Sequence, residues 1–182
     1  MATLQWVKIE PLTDEAFAPF GQIISAQNRA PDFHTTSGTR GWAVDFQAGR
    51  PLLMLLHTPY QGLSFGKLER HFNLTQTFLP MGGSPAVVAV APPGSGDRNE
   101  MPAPSDVRAF LLDGSRGYLL GRGVWHSLDR YPLYPPASQW VILTDRETQE
   151  DLTGAYAGQH AMRLTQEVDF APRFGVTFSL AM

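Results

Sequence analysis

Hydrophobic and polar positions alternate in short runs along most of this chain. Trp6-Val7-Lys8-Ile9-Glu10 reads as a strand, and from Gly21 onward the same pattern recurs at Gln22–Ile24, Pro51–His57, Leu63–His71, Thr75–Leu79, Ala86–Ala91, Val107–Leu112, Tyr118–Leu120 and Trp140–Thr144. Turn formers separate the runs, among them Met81-Gly82-Gly83-Ser84-Pro85, Asp113-Gly114 and Gly121-Arg122-Gly123. Many short strands in succession predict a sandwich or barrel. One short helix is expected near the start, where Thr13 can cap Asp14-Glu15-Ala16-Phe17 before Pro19 and Gly21 end it. The segment Pro92–Ser105 is rich in Pro, Gly and charge and reads as a solvated loop within the fold, because strand-like sequence resumes at Val107. Glu147–His160 is polar enough for a loop or short helix, and Gly175–Met182 alternates weakly, as an edge strand or a dimer contact would. No fixed-period repeat or low-complexity tract appears.

Composition narrows the classes. With 182 residues, the expectation is one domain over 1–182 with a core of its own. No apolar run approaches the roughly 18 residues of a membrane span, and the N-terminal Met1–Trp6 has no basic stretch followed by an apolar one, so the expected location is the cytoplasm. Cys is absent, which excludes disulfides, a thiolate nucleophile and thiolate-bound metal. The net charge of −3, with Lys and Arg scattered, leaves no footprint for nucleic acid or anionic lipid. The expected partners are a small molecule and a second copy of the chain.

Candidate chemistry concentrates around one strand. A period of two over Phe65–His71 would put Phe65, Lys67, Glu69 and His71 on one face, and Gly66, Leu68 and Arg70 on the other. A charged face of this kind is ordinarily wet, so the neighbouring sequence has to decide. The spacing Glu69-x-His71-x4-Gln76-x6-Gly83 resembles the first cupin motif, whose ligands bind a metal inside a β-barrel, with Glu in place of the first His and Gln in place of the Glu. Downstream, Gly121-Arg122-Gly123-Val124-Trp125-His126 resembles the second cupin motif, in which a glycine turn delivers the last ligand. The resemblance implies a metal set of Glu69, His71, Gln76 and His126. Two imidazoles and a carboxylate suit a divalent first-row metal, and an amide oxygen is a weak fourth ligand that leaves positions open for substrate.

A more specific resemblance lies in Leu68-Glu69-Arg70-His71-Phe72-Asn73-Leu74-Thr75-Gln76-Thr77-Phe78-Leu79-Pro80, which is similar to the signature of the ureidoglycolate lyase family. Pro11–Gly21, Val88–Pro92, Arg108-Ala109-Phe110, Gly123–His126 and Thr144-Asp145-Arg146 agree in order, so the similarity spans residues 9–146. It implies a mainly β, single-domain cupin-like barrel, or double-stranded β-helix, with a short N-terminal helix. It further implies a homodimer that cleaves (S)-ureidoglycolate to glyoxylate and urea in the breakdown of allantoin and purine nitrogen. On this reading Glu69, His71, His126 and Lys67 are catalytic candidates, and Arg40, Gln76, Arg146 and Trp125 are candidates for substrate binding. His57 is a candidate proton carrier, against the plainer reading of a strand-end residue. Lys67 balancing Glu69, Arg146 pairing with Asp145, and Trp125 or Tyr118 as core are the corresponding plain readings. The chain departs from the family pattern at Ala43, Gly66-Lys67, Leu119-Leu120 and Ser127. Those departures leave open a different small polar acid as substrate, or a non-catalytic metabolite-binding role.

Overall fold

The computed structural model describes residues 2–27 and 29–182. In chain order the elements are β1 (Thr3–Pro11), α1 (Asp14–Phe17), β2 (Gly21–Ile24), β3 (Phe33–His34), β4 (Arg40–Gly41), β5 (Pro51–Pro59), β6 (Ser64–Phe65), β7 (Lys67–His71), β8 (Gln76–Met81) and β9 (Ala86–Ala91). They continue with β10 (Arg108–Leu112), β11 (Gly117–Leu120), β12 (Trp125–Ser127), β13 (Tyr131–Pro132), β14 (Ala137–Asp145), α2 (Arg146–Tyr156), β15 (Thr165–Asp169), α3 (Phe170–Phe174) and β16 (Val176–Ala181). The protein is mainly β, with a cupin-like architecture of curled sheets. Thr13 caps α1 as its position suggests, its Oγ1 accepting from Ala16 N at 3.2 Å. No helix among the described residues is long and apolar enough to cross a membrane.

A nine-stranded sheet runs β15-β7-β12-β9-β10-β1-β16-β6, with β13 also on β9, and a five-stranded sheet runs β2-β11-β8-β14-β5. The continuous apolar run of β9 follows from its central place, since both of its faces are covered. Val87, Ala89 and Ala91 enter an outer core with Leu68, Trp125, Val168, Phe170 and Phe178. Ala86, Val88 and Val90 enter an inner core, between the sheets, with Phe78, Phe110, Tyr118 and Trp140. The outer core joins Phe65 from one end of the sheet's strand order to Val168 from the other, so the nine-stranded sheet curls around it.

Two local expectations are corrected, and of the loop or short helix expected over Glu147–His160 the structure has the helix. The run Leu63–His71 is not one strand: β6 pairs with β16, β7 pairs with β15 and β12, and the break falls at Gly66, whose carbonyl accepts from Phe170 N at 2.9 Å. Phe65 therefore joins Leu68 in the outer core instead of sharing a face with Glu69 and His71. Residues 146–156 form a helix, α2. The C-terminal β16 is no edge, because it pairs in parallel with β1 and antiparallel with β6. Both C-terminal strands are specified by long-range partners that a weakly alternating sequence does not reveal.

The far side of the five-stranded sheet exposes an apolar patch beside the polar His57 and Gln139. Leu53 and Leu55, 66% and 59% exposed on the edge strand β5, stand opposite Leu143 and Val141 of β14.

Candidate functional site

Strand register assigns each polar side chain to a face. Val90 belongs to the inner core, His126 stands directly opposite it, and Glu69 stands opposite His126. His71, two residues after Glu69, shares that face, and so does Gln76, two residues before the inner-core Phe78. Trp125 and Leu68 point the other way into the outer core. The inner face thus carries an apolar cluster at one side and Glu69, His71, His126 and Gln76 at the other.

Glu69, His71 and His126 offer ligand atoms that all lie within 4.8 Å of one another. Glu69 Oε1 is 3.9 Å from His71 Nε2 and 3.9 Å from His126 Nδ1. His71 Nδ1 shares a hydrogen bond with Thr165 Oγ1 at 2.8 Å, across from it on β15. His126 Nδ1 meets Ser127 O at 3.1 Å. A carbonyl can only accept, so the proton of His126 sits on Nδ1 and the lone pair on Nε2. Gly123, at φ 71°, turns the chain ahead of β12, and its N–H donates to His71 O at 2.8 Å, which ties the two ligand-bearing segments together.

Burial sets the protonation of the group. It pushes Glu69 up to about 8, with Glu167 and Asp129 adding to the rise and the Arg130 guanidinium opposing it. It pulls His71 down to about 4, and Arg130 adds to that. His126 is held well below the ordinary histidine value by burial, Arg130 and His71, against the opposing hydrogen bond of Ser127. Both imidazoles are therefore neutral near pH 7.

Unpartnered atoms mark the centre. His71 Nε2, His126 Nε2 and Gln76 Oε1 are buried and have no hydrogen-bond partner among the described residues. Gln76 Nε2 lies 3.5 Å from Thr144 Oγ1, which leaves its oxygen free. Orphaned buried acceptors are costly in a protein interior unless something completes them. Two imidazole nitrogens, a carboxylate and an amide oxygen form a donor set that could hold a divalent first-row metal.

A protein-family profile described as ureidoglycolate lyase matches residues 4–163. The chain belongs to the ureidoglycolate lyase family. It is similar to the ureidoglycolate lyase of Pseudomonas paraeruginosa, 35% identical over 131 residues that cover 68% of this chain and 75% of that one. The corresponding proteins of Azotobacter vinelandii, 35% identical over 66% of this chain and 74% of theirs, and Burkholderia mallei, 36% over 68% and 74%, are equally near. Membership in this family makes the chain a lyase.

The other residues singled out in the family signature and its surroundings are dispersed. Lys67 precedes Glu69 on β7 but is half exposed, with Nζ 3.7 Å from Glu167 Oε2. Arg40 lies on the β3–β4 hairpin, its guanidinium 5.7 Å from the Trp42 ring, and shares no hydrogen bond, ion pair or pocket with the triad among the described residues. Arg146 is exposed at the start of α2, in a groove with Leu52, Gln149 and Thr153. Trp125 is outer core, with the Arg70 guanidinium 4.5 Å from its ring. His57 is exposed on β5.

At most departures from the family pattern the side chain points away from the triad, including Ser127, whose backbone carbonyl alone reaches His126. Ala43 is on the surface with its N–H on Asp32, Ser127 Oγ bonds Asp129 O and Ala89 N, and a side chain at Gly66 would meet Asp169 and Thr177. Leu119 pairs with Thr77, on the far side of its strand from the inner-core Tyr118 and Leu120, and Leu120 alone of these positions packs in the inner core.

One residue at the site escaped the sequence reading. Arg130, four positions after His126, is 2% exposed. Its Nε donates to Tyr118 Oη, its Nη1 to Ser127 O at 2.8 Å, and its plane covers the Phe78 ring at 3.8 Å. It lies past the second motif in a segment without strand alternation, and an isolated Arg after Asp129 reads as solvated.

Proposed function

We propose that this protein cleaves (S)-ureidoglycolate to glyoxylate and urea at Glu69, His71 and His126, with Gln76 as a fourth contact. The observation that carries the reading is the buried, unpartnered Nε2 of His71, 3.9 Å from Glu69 Oε1, and of His126, whose ring approaches the same oxygen through Nδ1 at 3.9 Å, in a chain of the ureidoglycolate lyase family. The substrate is an α-hydroxy acid whose hydroxyl carbon also bears a urea nitrogen. Removing the hydroxyl proton collapses that carbon to an aldehyde, and protonating the nitrogen releases urea.

The donor set fits a divalent metal, which Glu69, His71, His126 and Gln76 would hold and which would supply Lewis acidity to a bound hydroxyl. Glu69 takes the hydroxyl proton and returns it to the leaving nitrogen. In the metal-free interior its proton affinity is raised to about 8, and a bound cation would lower it, so that Glu69 meets the hydroxyl proton as a carboxylate. Thr165 and Ser127 hold the two imidazoles in place through their Nδ1 atoms, so that the Nε2 atoms face the reacting group. The surrounding inner core, with Phe78 and Val90 adjacent, keeps water from competing. Lys67, at the partly exposed end of β7, meets the anionic substrate on its way in.

The test is glyoxylate release from (S)-ureidoglycolate by metal-reconstituted protein, with His126→Ala as control. Release that the control lacks supports the reading, and no release above background from folded, metal-loaded protein defeats it.

The homodimer implied by family resemblance has a face available in Leu53, Leu55, Val141 and Leu143. Sedimentation of Leu55→Glu against the unaltered protein tests it: a dimer that becomes a monomer is expected, and a dimer that persists removes this face.

A further inference from the structure

The interior holds a cation that the proposed chemistry has not used. Arg130 is buried, its Nη2 has no hydrogen-bond partner, and it forms no ion pair among the described residues, neighbouring Asp129 included. A guanidinium stays charged at any physiological pH, so the charge cannot be relieved by losing a proton. The partners it does have are neutral. Ser127 contributes a carbonyl and Phe78 a ring face. Tyr118 contributes a hydroxyl whose pKa burial pushes up to about 12, against the opposing effect of Arg130. The nearby imidazoles are neutral as well.

These partners also fix its aim. Nε and Nη1 are engaged, and the plane lies against Phe78, itself stacked on Tyr118 at 5.0 Å between ring centres. What remains is Nη2, on a guanidinium close enough for its charge to act on Glu69, His71 and His126. Arg70 differs on this point: Nε and both Nη atoms are occupied by Gln166 Oε1 and the carbonyls of Pro93, Asp97 and Glu100.

We propose that the free edge of Arg130 is a carboxylate subsite, and that the ligand of this interior is a small organic acid held by Arg130 Nη2 with its functional carbon towards Glu69, His71 and His126. A single charge with planar oxygens matches one free edge of a guanidinium. A tetrahedral dianion such as phosphate calls for more donors than this edge supplies. The inference rests on the reading of the triad as the reacting site, but not on ureidoglycolate as the substrate.

Binding of glycolate, of its neutral counterpart glycolamide and of inorganic phosphate can be measured by titration calorimetry, with metal content matched between variants. The unaltered protein is expected to bind glycolate at least tenfold more tightly than glycolamide, with phosphate failing to displace it. Arg130→Met, which keeps the aliphatic length, should lose most of that preference while binding glycolamide as before. Should Arg130→Met not fold, Arg130→Lys decides, through at least a threefold weakening for glycolate and none for glycolamide. The proposal is overturned by a wild-type protein that does not prefer glycolate, by phosphate competing on equal terms, or by a variant that weakens both ligands alike or neither. An Arg130-dependent preference for glycolate without glyoxylate release from ureidoglycolate would keep the carboxylate subsite and remove the proposed reaction.

Discussion

β7 buries side chains on both of its faces, and the two faces treat polar groups in opposite ways. On the outer face Arg70 is fully buried, yet each of its nitrogens has an acceptor in Gln166 or in the loop of Pro93, Asp97 and Glu100. On the inner face His71 Nε2, His126 Nε2, Gln76 Oε1 and Arg130 Nη2 are equally hidden from water and have no partner. Burial is common to both; satisfaction is not. The outer network pins the 92–105 loop and stabilises the fold, whereas the inner one costs stability that a ligand can restore. A buried polar group is evidence of function only when its own protein leaves it incomplete.

Substitutions on the two faces should therefore separate activity from stability. The largest effect is expected from His126→Ala, which should lower glyoxylate release by about 100-fold or more, while the melting temperature of the metal-free protein stays level or rises. Arg70→Met should do the reverse. Stranding the acceptors around a buried charge costs on the order of 3 kcal/mol, read by urea unfolding, while activity per folded molecule stays within about twofold of the starting value. If the two variants lost stability equally, the contrast between the faces would disappear.

A third, smaller effect comes from pH. Glu69 has its folded value raised to about 8 from 4.5, so its contribution is complete below pH 4.5 and is lost as pH rises towards 8. His71 has its folded value lowered to about 4 from 6.5, so its contribution is complete above pH 6.5 and is lost as pH falls towards 4. Between pH 6.5 and 8 only the Glu69 contribution changes. Metal-free protein should lose a few degrees of melting temperature across that window, and Glu69→Gln should flatten the slope. The smallest effect is expected from Lys67→Ala. Its partly exposed pair with Glu167 contributes about 0–1 kcal/mol, and kcat/KM should fall less than about threefold, most visibly at low salt.

Much of the site was legible because strand geometry is local. The alternation that separates Glu69 and His71 from Leu68 and Arg70, and the two-residue step from Gln76 to Phe78, follow from backbone pleating alone. Arg40 and Arg146 were plausible anion binders by residue type, but position on a hairpin and at a helix start is a matter of tertiary placement. Arg130 was illegible for the converse reason. Nothing beside it in sequence shows that Tyr118 and Phe78, from two other strands, enclose it.

The sequence by itself determined the β-rich character, the capped first helix and the order and spacing of Glu69, His71, Gln76 and His126, because period-two geometry and capping act over a few residues. Only the tertiary structure decided that the strand breaks at Gly66, that β15 and β16 complete the curled sheet, and that the polar cluster is largely withdrawn from water. Those outcomes depend on pairing and desolvation between residues far apart in the chain. The same desolvation turns an ordinary carboxylate, two ordinary histidines and an ordinary arginine into groups with something left to bind.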